Sequence, residues 1–234
     1  MGKAFDFTLI WGFIPTLLPY LAVTLQILAV SIVFGIIIGI VAAIPRLFHL
    51  PILRQLVIIY ISFIRGTPIL IQLFLTFYGV PALLMLINID VSRVEPIYFV
   101  MITYAIGNGA VFSEIFRSAI LSIDRGQTEA AYSVGMSDTQ NFFRIILPQA
   151  IVVAFPNIAN SVIGSLKDTS LAFSIGVIDL VGRGETLIAA TAHALEVYIS
   201  LSIIYYIVVL LLEKGFHLFE KRMKRHQSFA SSAI

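Results

Sequence analysis

Five long stretches of this chain contain no Asp, Glu, Lys or Arg: residues 7–45, 66–89, 96–113, 145–166 and 197–212. A helix needs roughly 20 apolar residues to cross about 30 Å of hydrocarbon, where nothing solvates a charge. Five runs near that length predict an all-α membrane protein of about five transmembrane helices. The runs are continuous rather than alternating, which excludes the strands of a membrane β-barrel. Composition agrees: 59% of residues are hydrophobic and 12% charged, against about 25% charged in a soluble domain. We place the spans at residues 19–44, 54–80, 96–118, 146–166 and 196–214. Pro19, Pro51, Pro96 and Pro148 stand near their starts, where a missing N–H costs least. Residues 1–18 read as an N-terminal interfacial segment, with Trp11 suited to the headgroup boundary. The first apolar run is too long for the core of a cleavable signal peptide.

Basic residues set the expected orientation. With the N-terminus outside, the inner segments hold Arg46, Arg54, Arg117, Arg125, Arg144, Lys214, Lys221, Arg222, Lys224 and Arg225; the outer ones hold Lys3, Arg93, Lys167 and Arg183. That excess puts the carboxyl terminus in the cytoplasm by the positive-inside rule. Residues 219–234 then form a basic cytoplasmic tail. Its cluster beside the last span reads as an orientation signal next to anionic lipid, not as a nucleic-acid site. The chain has no cysteine, so no disulfide or thiolate metal site exists. His49, His193, His217 and His226 are scattered without ligand spacing, and no metal is assigned.

The loop at residues 118–146 is the longest inner one and the most polar part of the chain. Asp124 or Thr128 would cap a short helix there, and Gly135 would end it. A second amphipathic piece then leads to Pro148. The expected product is a helix–turn–helix knob on the cytoplasmic face. Its residues Glu129, Ala130, Ala131, Gly135, Ile145, Leu147 and Pro148 match the signature Glu-Ala-Ala, three residues, Gly, nine residues, Ile, one residue, Leu-Pro. The pattern resembles that of binding-protein-dependent ABC importer permeases. Arg65-Gly66-Thr67-Pro68, Arg125-Gly126-Gln127 and Lys167-Asp168-Thr169-Ser170-Leu171 further resemble the polar amino-acid branch of that family.

The resemblance implies a type I importer permease domain over residues 19–218 in the bacterial plasma membrane. It implies that the knob is a coupling helix seated on an ATPase subunit. Arg125, Gly126, Glu129, Ala130, Ala131 and Gly135 would form that contact, with Glu129 meeting a basic residue. It also implies two ATPase subunits carrying ATP and Mg, an extracellular binding protein, a second permease copy or related chain, and a polar amino acid as cargo, L-cystine being conceivable. Read without the family, Glu129 is a solvated carboxylate favouring a helix N-terminus.

Polar groups within the spans mark candidate pathway residues. Gly66 and Pro68 loosen span two beside Arg65 and Thr67; Arg65 either lines a kinked path or pairs with Glu114 or Asp168. Asn108, between two glycines, suits tight helix packing. Glu114 and Arg117, three apart, read as a local salt bridge. In span four, Asn157 and Asn160 share a face, and Pro156 is expected to kink or break the helix. Asp168 would meet an ammonium group and Lys167 a carboxylate, with Thr169 and Ser170 beside them; the other reading is that Lys167 and Asp168 are scaffold. The chain lacks a phosphate-binding Gly-rich loop and any nucleophile–base set, so it is read as a transport subunit and not an enzyme. The alternative is a self-contained secondary transporter or channel for a small polar solute.

Overall fold

The structure, a computed structural model, describes residues 4–231. Residues 1–3 of the expected N-terminal segment and residues 232–234 of the tail lie outside them. Every regular element among the described residues is helical. Four helical segments are long and apolar enough to cross a membrane: Phe7–Leu47, Pro96–Leu121, Asp138–Ile175 and Ala194–Lys224. A fifth span is a bent pair, Pro51–Gly66 followed by Ile69–Met85, turned through 112° at the break. The expected five spans are thus reached when the bent pair counts as one, and the loosening at Gly66–Pro68 is present.

The first helix, α1 (Phe7–Leu47), corrects the predicted boundary at residue 19. The Asp6 side chain caps it by accepting from Thr8 N at 2.9 Å, and Pro15, Pro19 and Pro45 lie inside it. Residues 7–18 are therefore continuous with span one rather than a separate helix. Proline is tolerated inside membrane helices because neighbouring elements satisfy the freed carbonyls. Separately from those carbonyls, Ser200 Oγ of the last helix donates to Ile10 O at 2.8 Å and ties this region down. At 41 residues α1 reaches about 60 Å, well beyond the hydrocarbon.

The centre of the bundle is α1 packed along α5 (Pro96–Leu121). Small residues permit the close approach. A Cβ on Gly35 would lie 2.7 Å from Asn108 Cβ, and one on Gly39 would lie 2.7 Å from Phe112 Cβ and 3.1 Å from Ser113 N. Asn108 and Gly109 thus sit at the packing seam that their pattern suggested, while Gly107 faces Ile69 and Gln72. Ile27, Leu73, Val100 and Tyr104 form one buried cluster beside this seam; Leu28, Phe112, Val162 and Leu166 form another.

Span four begins earlier than predicted. The short α7 (Asp138–Asn141), a π turn (Phe142–Ile146) and α8 (Leu147–Asp168) form one apolar segment that ends in a 3-10 turn, Thr169–Ile175. Pro156 does not break α8, which runs uninterrupted from Leu147 to Asp168. The interruption falls in span two instead, where Pro68 follows Gly66-Thr67. After α9 (Leu180–Thr191), Ala192 takes a left-handed φ of 62° and the chain enters α10 (Ala194–Ser231).

Two buried clasps tie these last elements to α1. Asp179, fully buried, caps α9 by accepting from Gly182 N at 2.9 Å and also accepts from Thr24 Oγ1 at 3.1 Å. Glu196 accepts from Asp6 N at 2.9 Å and contacts His193 Nδ1 at 2.9 Å.

Gly39→Ala should lower the thermal midpoint of the purified protein, because its methyl meets backbone that cannot yield; overpacking of this kind costs about 1–3 kcal/mol. Gly12→Ala, with nothing within 4 Å of its Cβ position, should not. Thermal unfolding of both variants in detergent checks the pair.

Candidate functional site

Gly66-Thr67-Pro68 divides span two into α2 (Pro51–Gly66) and a second limb. That limb consists of α3 (Ile69–Phe74), a π turn (Leu75–Gly79) and α4 (Val80–Met85). A break exposes carbonyls that lipid cannot satisfy. Three side-chain bonds close it. Thr67 Oγ1 donates to Phe63 O at 2.8 Å, and Gln72 Nε2 donates to Ile64 O at 2.7 Å and Thr67 O at 2.8 Å.

The break borders a cavity of about 250 Å³ lined by residues of α2, α3, α5 and α8, among them Arg65, Thr67, Gln72, Tyr104, Asn108 and Asp168. Two shallower hollows adjoin it. One shares Arg65 and reaches Arg46 and Glu114; the other shares Ser161 and holds Asn157, Asn160 and Glu114. Together they form a polar groove along α2, α5 and α8. Its walls are pinned from α5: Tyr104 Oη donates to Asp168 O at 2.6 Å, and Asn108 Oδ1 accepts from Ser165 Oγ at 2.6 Å.

Of the residues singled out in the sequence, Arg65, Thr67 and Asp168 line the cavity at the break. Arg65 is exposed and forms no ion pair with the described residues. Glu114 is instead held by Arg46 and, at 3.0 Å, by Arg117. The Glu114–Arg117 bridge matches its expectation; Arg46 was missed because it arrives from another span. Asn157 and Asn160 face the groove one turn further along. Lys167 is exposed but lines none of these hollows. Thr169 is fully buried and donates to Leu166 O at 2.6 Å, and Ser170 donates to Lys167 O at 2.8 Å. Both hydroxyls are thus used by their own turn. Gln72, Tyr104 and the Asp179–Thr24 clasp were also missed. Each pairs residues far apart in sequence, or with backbone, and no local spacing announces that.

The knob has the local chemistry its sequence calls for. Asp124 caps α6 (Arg125–Ser133), accepting from Gly126 N at 2.6 Å. Gly135 ends it at φ 79°, with Gly135 N donating to Tyr132 O at 2.9 Å and Met136 N to Ala131 O at 3.0 Å. This is a Schellman cap, and its left-handed residue favours glycine. Ser137 and Gln140 then form a capping box that starts α7. Tyr132 Oη donates to Asp138 Oδ1 at 2.8 Å across the turn. That hydrogen bond raises the Tyr132 hydroxyl above the usual phenol range. Arg125, Gly126, Glu129 and Ala130 stay exposed, while Ala131 is buried against the following segment. Among the described residues no group of three or more His, Asp or Glu is placed to hold a metal.

Residues 35–225 match the family described as binding-protein-dependent transport system inner membrane component. The chain belongs to that family. This permease is 57% identical over 228 residues to the L-cystine transport system permease protein TcyL of Bacillus subtilis (strain 168), covering 97% of this chain and 95% of the relative. It is 36% identical to the glutamine transport system permease protein GlnP of Escherichia coli (strain K12), covering 94% and 98%. A chain from the crystal structure of an amino acid ABC transporter with histidines superposes with a TM-score of 0.84 at 30% identity, covering 94% of the permease and all of that chain. The permease is accordingly a multi-pass component of an ABC importer in the bacterial plasma membrane, a transport subunit without enzymatic activity. That displaces the secondary-transporter alternative.

Glu114 bridges Arg46 and Arg117 in a partly buried setting. Glu114→Ala should lower the thermal midpoint more than Arg117→Ala, since it leaves two arginines facing each other. Arg46→Met combined with Glu114→Met should recover part of the loss. A double-mutant cycle of melting temperatures reads this coupling.

Proposed function

We propose that the permease passes a polar amino acid through the groove at the break in span two, L-cystine being the first substrate to test. The observation that carries the reading is the cavity bordered by Asp168 and by Arg65, which has no ion-pair partner among the described residues. The guanidinium suits an α-carboxylate and the Asp168 carboxylate suits an α-ammonium. Interrupted helices that line a cavity are how membrane transporters offer polar groups at depth. The 57% identity to a cystine permease favours the same cargo. Thr67, Asn157 and Asn160 extend the polar lining. The exposure of Lys167 favours an outer approach over a place in the cavity, and Thr169 and Ser170 shape the turn that carries Asp168.

The chain works with a second permease, a copy or a related chain, because a groove open along one side needs a second wall. Two ATPase subunits, which bind the ATP and Mg, dock on the α6–α7 knob through Arg125, Gly126, Glu129 and Ala130. Ala131 and Gly135 set the shape of the knob. An extracellular binding protein delivers the amino acid. The excess of basic residues in the segments that include the knob supports an outside N-terminus and a cytoplasmic carboxyl terminus. The apolar outer faces, Val33, Phe34, Ile37 and Val41 of α1 among them, meet lipid. Nucleic acid has no part in the reading.

Reconstituted with its ATPase and binding protein, the unaltered complex should accumulate L-cystine in an ATP-dependent way that survives collapse of ion gradients. Arg65→Gln or Asp168→Asn should reduce uptake about tenfold or more, the worth of one charge-assisted hydrogen bond. Gradient-driven uptake without ATP would contradict the reading. Glu129→Lys should abolish co-purification with the ATPase while leaving the permease folded.

A further inference from the structure

Gln72 is 6% exposed and lies one turn into α3, on the cavity side of the break. Its amide nitrogen is fully committed. Nε2 donates to Ile64 O on one limb and to Thr67 O at the break. Two carbonyl acceptors at 2.7 and 2.8 Å fix which end of the amide is nitrogen, since the opposite flip would set oxygen against oxygen. The other end is the anomaly: Gln72 Oε1 is buried and has no hydrogen-bond partner among the described residues. A buried unsatisfied acceptor costs about 1–3 kcal/mol, so its persistence calls for a reason. Leucine or methionine at this position would remove the orphan, but would also free the two carbonyls.

We infer that Gln72 couples the break to the cargo: its Nε2 clamps the two limbs of span two, and its Oε1 accepts a hydrogen bond from the α-ammonium of the amino acid in the cavity. The inference rests on the functional reading of that cavity. Asp168 and Arg65 border the same space. Three groups, one anionic, one cationic and one neutral acceptor, define a site for a zwitterion rather than for a simple cation or anion. A carboxylate alone finds a repulsive oxygen at Gln72, and a cation without a carboxylate leaves Arg65 unpaired. Donation to Oε1 also polarises the amide, which strengthens the two bonds its nitrogen makes. Cargo in the cavity therefore stiffens the break that borders it.

Equilibrium binding of radiolabelled L-cystine to the purified permease–ATPase complex, without binding protein, isolates this cavity. Gln72→Lys keeps donors for Ile64 O and Thr67 O but removes the acceptor. It also buries a charge, so it should melt below the unaltered complex and bind L-cystine about tenfold or more weakly. Gln72→Met loses both functions and should melt lower as well as bind weakly. Unchanged affinity in Gln72→Lys would overturn the inference. Should that variant fail to accumulate, competition on the unaltered complex replaces it. N,N′-diacetyl-L-cystine, which lacks ammonium groups, should compete at least tenfold less well than L-cystine there and lose much of that disadvantage on Gln72→Met, whereas an undiminished disadvantage on Gln72→Met would overturn the inference. Failure of the unaltered complex to bind either L-cystine or L-glutamine would instead overturn the functional reading on which it rests.

Discussion

A helix interrupted at membrane depth survives only where protein or an internal cavity, not lipid, meets the freed backbone. The break at Gly66-Thr67-Pro68 satisfies that constraint through Thr67 and Gln72, and much of the molecule follows from it. The break turns span two through 112° and brings Arg65 and Thr67 against α5 and α8. The α1–α5 seam, drawn tight by Gly35 and Gly39, gives a rigid wall against which the groove is defined. Asp168 is carried to the cavity at the end of α8, and Tyr104 holds its backbone there.

The proposed point of ATPase contact lies apart from this groove. The α6–α7 knob is built from local signals alone: an Asp124 cap, a Gly135 left-handed turn and a Ser137–Gln140 capping box. Such a unit is stiff for its size, which suits a lever. From α7 the chain continues through a π turn directly into α8, so a push on the knob is delivered along the helix that bears Asp168, Asn157 and Asn160. The Glu114 pairing with Arg46 and Arg117 joins α1 and α5 beside the same groove. The knob and the groove are thereby linked by one continuous segment.

Much of this was legible in the sequence for physical reasons. Charge-free length revealed the spans, since lipid forbids charge wherever the chain meets it. The knob was legible because caps and turns are decided within four or five residues. Gly66 and Pro68 announced the break. Boundaries were less legible: α1 runs through Pro19, and α8 runs through Pro156, because neighbouring helices support what an isolated helix would not. Least legible were the pairings that close the site. Arg46 finds Glu114, Thr24 finds Asp179, and Gln72 reaches back to Ile64. Such contacts depend on packing in three dimensions, and residue spacing carries no trace of them. Thr169 and Ser170 illustrate the converse: polar residues in a suggestive string whose hydroxyls are spent on their own turn.

The account stands on the knob facing the cytoplasm and receiving an ATPase. The absence of native cysteine makes that directly measurable with a single cysteine introduced at Gln127. A membrane-impermeant maleimide should label it in inside-out vesicles but not in right-side-out ones, and bound ATPase should protect it. Labelling from the external side, or labelling unaffected by the ATPase, would contradict the account.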